Sequence, residues 1–336
     1  MGKKKILVTG GAGYIGSHVV RQLGERAESV VVLDNLYTGF EKAVTSGTTV
    51  IGNTGDEELL DRLFDEHDID TIMHFAAHTV VPESVENPLK YYANNTAASR
   101  TLLEAGHRHG IEHVVFSSTA AVYGVPQTGV ASEDDPTQPI NPYGTSKLMT
   151  EWMLRDLAAA GGPRYTVLRY FNVAGCDPEG RIGQSTPNAT LLTKVACEAA
   201  VGKRDSVKIY GTDYPTEDGT GVRDYIHVED LASAHLKALD YLRAGGAPVT
   251  LNCGYGHGYS VRELLAAVEK ANGKPLNIIE EGRRAGDPPS LISKADRIRK
   301  ILGWQPQHDD LDAIVSSALA WERKIAAKDA NAYWQD

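Results

Sequence analysis

The chain has 336 residues, too many for one ordinary core and few for three, so one large or two modest domains are expected. With 34 basic and 44 acidic side chains its formal net charge is −10. That balance argues against a general nucleic-acid binder and against attraction to an anionic membrane surface, because both need a basic face. Residues 1–5 run straight into a strand pattern, and no apolar stretch approaches the roughly 18 residues of a membrane span; a cytoplasmic protein is expected.

In chain order, β-branched runs at 5–9, 29–33, 49–51, 71–75, 113–117 and 166–170 alternate with helical patterns at 17–25, 57–66, 96–107 and 143–158. Strand–helix alternation at this spacing predicts a Rossmann-type doubly wound parallel sheet with helices on both faces. Ile6-Leu7-Val8 and Val30-Val31-Val32-Leu33 are continuous apolar runs, as suits strands covered on both sides. Beyond about residue 172, Gly- and Pro-containing loops at 175–187, 212–221 and 281–289 separate shorter elements, among them a helix over 188–200. This half reads as a smaller α/β substrate-binding domain. The expected division is 1–175 for a cofactor domain, to which residues of about 222–255 return, and 176–336 for the substrate side. A terminal helix over 311–328, containing Trp321, is amphipathic and should lie on the body of the protein. Cys176, Cys197 and Cys253 are too far apart for zinc spacing or a disulfide framework, so buried thiols in a reducing compartment are expected. His74, His78, His107, His109 and His113 show no metal-ligand spacing and are assigned to core or surface; no metal is expected.

The first predicted strand runs into Gly10-Gly11-Ala12-Gly13-Tyr14-Ile15-Gly16, and a helix follows at once. Gly10 permits a tight turn, Gly13 lets backbone approach a pyrophosphate, and Gly16 allows close helix–strand packing. The helix start then offers N–H donors and its dipole to an anion. Asp34, at the end of the second strand, stands where a carboxylate accepts from the adenine-side ribose 2′-OH, which favours NAD over NADP.

A second constellation is Tyr143-Gly144-Thr145-Ser146-Lys147. The i,i+4 spacing puts phenol and ammonium on one helix face, and Pro142 suits the helix start. Free tyrosine titrates near 10, a poor base at neutral pH, unless nearby positive charge favours the phenolate. Thr119 ends a strand of the same sheet, at the edge that faces the ligand crevice, so its hydroxyl is placed to meet a reacting oxygen.

These motifs, together with His74-Phe75-Ala76-Ala77, the stretch 91–95, Arg169-Tyr170-Phe171-Asn172 and the segment 214–228, resemble the UDP-glucose 4-epimerase family of extended short-chain dehydrogenase/reductases. The resemblance spans about residues 4–323. It implies a tightly bound NAD, reduced and reoxidised within one turnover, and a homodimer formed through helices that include residues 96–109. Tyr143 would take the proton of the sugar 4-OH, Thr119 would bond the C4 oxygen, and Lys147 would tune Tyr143 while holding the nicotinamide ribose. Tyr14, Ile15, Asn35, Asn53, Phe75, Ala76, Ala77, Asn95, Ser117 and Tyr170 match cofactor-contacting positions. On the UDP-sugar side, Asn172 falls on a substrate position. Arg223 and Arg284 would grip the diphosphate, Asp287 would meet the uridine ribose, and Tyr210 would stack on uracil.

The chain also departs from the family. Gly52-Asn53 replaces a usual Gly-Asp pair beside adenine, and Thr79 replaces a lysine that touches the cofactor. The substrate contact near Thr190 or Leu191 is unassigned. Leu291 stands where a tyrosine would exclude N-acetylhexosamines, so tolerance of an N-acetyl group is expected. Ala120-Ala121 replaces the acids that 4,6-dehydratases carry and the glutamate of UDP-glucuronate decarboxylases. That leaves UDP-glucuronate 4-epimerase as the nearest alternative. A non-enzymatic dinucleotide sensor would keep the glycines but has no need of Thr119, Tyr143 and Lys147 together.

Overall fold

The computed structural model describes residues 4–284 and 287–327. Its strands are β1 (Lys5–Thr9), β2 (Ser29–Asp34), β3 (Thr48–Ile51), β4 (Ile69–His74), β5 (His113–Thr119), β6 (Val130–Ala131), β7 (Arg164–Tyr170) and β8 (Asn172–Ala174). They continue with β9 (Val207–Tyr210), β10 (Val222–Arg223), β11 (Tyr225–His227), β12 (Val249–Cys253), β13 (Tyr259–Ser260), β14 (Ile278–Glu281) and β15 (Ser290–Ser293). Seven of them form one parallel sheet in the order β12-β7-β5-β4-β1-β2-β3. Each predicted strand of the first half is present; β1 matches as expected, the others are extended by one or two residues at one end, and β4 stops at His74, one residue short of its expected end.

The helices are α1 (Tyr14–Glu25), α2 (Glu57–Glu66), α3 (Val81–Glu86), α4 (Pro88–Tyr91), α5 (Ala98–Arg108), α6 (Pro142–Ala159), α7 (Leu192–Ala200), α8 (Val228–Arg243), α9 (Val261–Asn272), α10 (Asp296–Leu302) and α11 (Leu311–Ala326). The predicted helix 96–107 is preceded by a π-helical turn, Tyr92–Ala97, and the pattern at 188–200 is helical only from Leu192. Lys328, the predicted end of the last helix, lies outside the described residues.

Two aliphatic layers cover the sheet. On one face Val8, Val32, Met73 and Val115 meet α1 and α8; on the other Leu7, Leu33, Ile72 and Val114 meet α2 and α5. Alternate residues of one strand therefore enter opposite layers, which is why these strands are apolar throughout. α6 starts where Asn141 accepts the Gly144 N–H at 2.9 Å and Pro142 occupies the first turn, a cap that leaves Pro142 no lost hydrogen bond. α9 starts with a capping box between Ser260 and Glu263.

The order places β1 between β2 and β4, so connections leave its carboxyl end toward opposite faces and open a crevice there. Thr9 and His74 lie side by side at this edge, and Thr119 pairs with Tyr170. The second half supplies the other wall. β10 pairs with β15, bringing Arg223 beside Leu291, while β11 pairs with β8, bringing Tyr225 beside Asn172. Buried Asp224 ties these pairs together by accepting from Tyr255 N, Gly256 N, Ser293 N and Ser293 Oγ. Trp321 of α11 is buried and bonds the Gln184 carbonyl, so this helix does lie on the body. All three cysteines are buried and free. No helix among the described residues is long and apolar enough to cross a membrane.

Candidate active site

Gly10 has φ +71°, a left-handed conformation that costs glycine little. A Cβ on Gly16 would sit 2.2 Å from the Gly10 carbonyl oxygen, so the chain itself demands glycine there. Gly13 is different. An added Cβ would meet only that carbonyl, at 3.3 Å, and its φ −78°, ψ 177° are open to any residue. The fold barely needs this glycine; its bare backbone clears space for something outside the chain. Gly13 has no side chain to cap α1, whose first turn holds no acidic residue. The first N–H groups of the helix thus stay available to an anion.

This helix start opens into a cleft whose wall includes Gly10, Gly13, Asp34, Asn53, Ala76 and Asn94. Asp34 accepts from Ala12 N at 2.9 Å and from Leu36 N at 2.8 Å. Each carboxylate oxygen keeps a lone pair for a hydroxyl donor, and burial raises its pKa from the ordinary value. Asn53 and Asn35 brace their own turns through Gly55 N and Tyr37 N. Ala77 and His78 also line the cleft, and the His78 ring meets Tyr37 edge-on. His78 thus belongs to the cleft wall, whereas His74 is a core residue bonded to Thr9 and Ser99 at 2.6 and 2.8 Å. Phe75 packs on His235. Tyr14 donates to the Gly175 carbonyl at 2.7 Å, while Ile15 joins the core beneath α1.

At the other end of the crevice, α6 lies beside the ends of β5 and β7 and brings Tyr143, Lys147, Ser117, Thr119 and Tyr170 together. The Thr119 hydroxyl accepts from Ala121 N at 3.1 Å and neighbours the Tyr143 phenol. Burial raises the Tyr143 pKa, and the neighbouring Thr119 hydroxyl opposes that shift. Lys147 is 2 % exposed. It donates to the Ser117 carbonyl at 2.9 Å and stands 4.9 Å above the Phe116 ring. Burial brings its pKa down to about 7, with the Glu151 carboxylate pulling the other way. Ser117 Oγ and Tyr170 Oη are 2.6 Å apart. Asn95 is locked by His78 N, His78 O and Ser146 Oγ, fixing the π-helical turn against α6.

On the facing wall the Arg284 guanidinium lies 3.6 Å from the Tyr210 ring centroid, so two expected substrate contacts touch each other. Register explains this: Tyr210 pairs with Glu281, and Arg284 sits on the loop that leaves that strand. Arg223 donates to the Val222 carbonyl at 2.8 Å and stands 4.0 Å from Asp287. Leu291 packs against the cluster that includes Ala120 and Tyr123 of the turn after Thr119 together with Leu148 and Phe171. Asn172 begins β8 at the same edge. No group of His, Cys, Asp and Glu able to hold a metal occurs among the described residues.

Sequence reasoning overlooked Asp224, whose carbonyl accepts from Asn172 N at 3.0 Å, and the buried set Glu151, Arg169 and Tyr123 behind Thr119 and Tyr143. Its only local signal was charge inside apolar runs.

Comparison with known proteins agrees with this geometry. Residues 6–254 match the NAD dependent epimerase/dehydratase family. A UDP-glucose 4-epimerase of Azospirillum brasilense is 56% identical over 322 residues, covering 96% of this chain and 92% of that one. The crystal structure of a UDP-glucose 4-epimerase from Brucella ovis in complex with NAD superposes with a TM-score of 0.92 at 41% identity, covering 94% and 98% of the two chains. The UDP-Glc/GlcNAc 4-epimerase of Campylobacter jejuni superposes with a TM-score of 0.84 at 48% identity, covering 96% and 99%.

Proposed function

The chain belongs to the NAD dependent epimerase/dehydratase family, and from that premise we propose that it interconverts UDP-glucose and UDP-galactose by NAD-dependent epimerisation at C4, through a transient 4-keto sugar. The observation that carries this reading is the convergence of buried Tyr143, Lys147 and Thr119 at the end of the glycine-bordered crevice. NAD-bound relatives and the fit of the crevice to a dinucleotide support the cofactor: bare backbone at Gly13, unsatisfied N–H groups at the start of α1, and a carboxylate at Asp34.

NAD when bound supplies a reversible hydride acceptor for C4 and a positive charge in its oxidised form. Gly10, Gly13, Tyr14, Ile15 and Gly16 would hold its diphosphate; Asp34, Asn35 and Asn53 its adenosine; Phe75, Ala76, Ala77, Asn95, Ser117, Lys147 and Tyr170 its other half. Tyr143, as phenolate, removes the 4-OH proton at its Oη and returns it after the sugar has turned. Thr119, beside the phenol, bonds the C4 oxygen in turnover and holds it in line for the proton transfer. Lys147 keeps positive charge beside the phenolate, as an ammonium fixed by the Ser117 carbonyl.

Arg223 and Arg284 bind the diphosphate through guanidinium forks. Arg284 leaves Tyr210 as uracil takes its place on the ring, Asp287 meets the uridine ribose, and Asn172 lies beside the sugar. Leu291 leaves room for an N-acetyl group, so N-acetylated UDP-hexoses are also substrates. On this reading residues 1–175, with about 222–255, form the cofactor domain and 176–336 the main substrate domain. The enzyme works in the cytoplasm on nucleotide sugars of galactose metabolism. It is a homodimer through α5 and α6, where Trp152 is 44% exposed.

Replacing Tyr143 with Phe tests the assignment. Epimerisation of UDP-galactose should fall by at least about 10³-fold, in line with loss of an acid–base group, while NAD content stays unchanged. Undiminished activity would overturn it.

A further inference from the structure

Behind the catalytic face lies a buried ion pair. Glu151 is 6 % and Arg169 7 % exposed. Arg169 Nε reaches both carboxylate oxygens at 3.0 and 3.2 Å, Nη2 reaches one at 2.5 Å, and Ser118 Oγ donates to the same carboxylate at 2.5 Å. Arg169 Nη1 also donates to Tyr123 Oη at 3.0 Å, and that hydroxyl donates to Asn252 Oδ1 at 2.6 Å. The cluster therefore joins α6, β5, β7, β12 and the turn after β5. Three of these elements end in Thr119, Tyr170 and the Tyr143–Lys147 pair.

Glu151 stands four residues after Lys147 on α6, one turn along the same face, with Cβ atoms about 5–6 Å apart. A fully buried ion pair offers doubtful net stability compared with apolar side chains of equal size, so stability alone is a weak reason for placing one here.

Resting on the epimerase reading above, we propose that Glu151 is a positioning residue: its carboxylate is the counter-charge that keeps Lys147 an ammonium, and its bonds to Ser118 and Arg169 hold α6 in register with the ends of β5 and β7. The other ionisable groups around this spot do not supply that charge. Tyr170 and Tyr123 are held protonated by burial and His74 on β4 is neutral, while Tyr143 is the base whose phenolate Lys147 has to balance and is itself disfavoured as an anion by burial. Glu83 of α3 is bound to Lys90 and to Tyr91 of α4, and Glu104 of α5 to exposed Arg100. Arg169 is the cation that holds Glu151 in place and adds positive charge of its own. The raising effect of Glu151 on Lys147, against the lowering effect of burial, agrees with the geometry.

The sign follows directly. Without the Glu151 anion the Lys147 ammonium loses its proton at lower pH, and Arg169 adds to the effect. The active, charged form then disappears from the alkaline side of the profile. In E151Q the alkaline limb of kcat for UDP-galactose should move down by about one pH unit, as expected for one charge at this distance in a medium of intermediate dielectric constant. At pH 8 kcat should fall about tenfold, while KM changes less than about twofold and NAD content is unchanged. E151D keeps the charge and should keep the wild-type profile, even with a lower melting temperature; it carries the test if E151Q does not fold. A uniform fall in kcat with an unmoved limb in E151Q would overturn the proposal, as would a shifted limb in E151D. If the wild type does not epimerise UDP-galactose, or the Tyr143→Phe variant remains active, the underlying reading fails instead.

Discussion

Gly13 and Gly16 are three residues apart in one motif, yet the structure assigns them different jobs, and alanine at each should separate fold from cofactor. At Gly13 the new methyl meets one carbonyl oxygen at 3.3 Å in a conformation alanine adopts freely. The slight crowding is offset by the smaller entropy lost on folding, about 0.4–1 kcal/mol, so the melting temperature should stay within about 3 °C of wild type. The same methyl stands where backbone must meet a diphosphate, and NAD affinity should fall at least tenfold, about 1.4 kcal/mol. At Gly16 the methyl would lie 2.2 Å from backbone oxygen, which cannot rotate away. A cost of about 3 kcal/mol follows, at the upper end for overpacking, with loss of NAD as a consequence of the altered turn. Calorimetry together with nucleotide extracted from the purified proteins measures both quantities. A Gly13→Ala protein with full NAD content, or one as unstable as Gly16→Ala, would refute the reasoning.

Other predictions follow from the facing wall and from the buried histidines. Leu291→Tyr should suppress turnover of UDP-N-acetylgalactosamine at least tenfold while leaving UDP-galactose within about threefold, since one bulky ring closes an apolar niche; equal loss for both sugars would count against the assignment. Arg223→Met and Arg284→Met should each raise KM for UDP-galactose at least tenfold with a smaller effect on kcat, because the diphosphate is held in ground and transition states alike. His18, His74, His227 and His235 are buried, with pKa values brought down by burial to about 4, 3, 3 and 4. The unfolded chain binds protons near pH 6.5 that the folded chain refuses, so stability is full above that pH and falls below it, by up to about 1.4 kcal/mol per pH unit for each histidine. Buried Asp34, Asp224 and Glu229, raised by burial, oppose this toward the acid end. Urea melts from pH 7 to 5 should therefore show a steep loss of stability; a flat profile would contradict the burial of these rings.

The glycine loop, Asp34 and the Tyr143–Lys147 pair were legible because each motif is local: a tight turn, a strand end, one helix face. The Ser118–Glu151–Arg169 set was not, because its members come from β5, α6 and β7 and meet only through the parallel register that pairs Ser118 with Arg169. Asp224 was hidden for the same reason, its four donors lying some 30 to 70 residues downstream. In the second half every strand but β12 has only two to four residues, too few positions for alternation to show. There the long loops were the better guide, since one of them carries Arg284 onto the Tyr210 ring. The early start of the helix carrying Asn95 reflects a π-helical turn that no residue preference announces.

The central claim is that the purified chain inverts C4 of a UDP-hexose with the NAD it already holds. Incubation with UDP-galactose, without added NAD, followed by chromatographic separation of the nucleotide sugars, tests it most directly. UDP-glucose should accumulate until the two reach a fixed ratio, and the same ratio should be approached from UDP-glucose. Unchanged UDP-galactose in the presence of bound NAD would contradict the account.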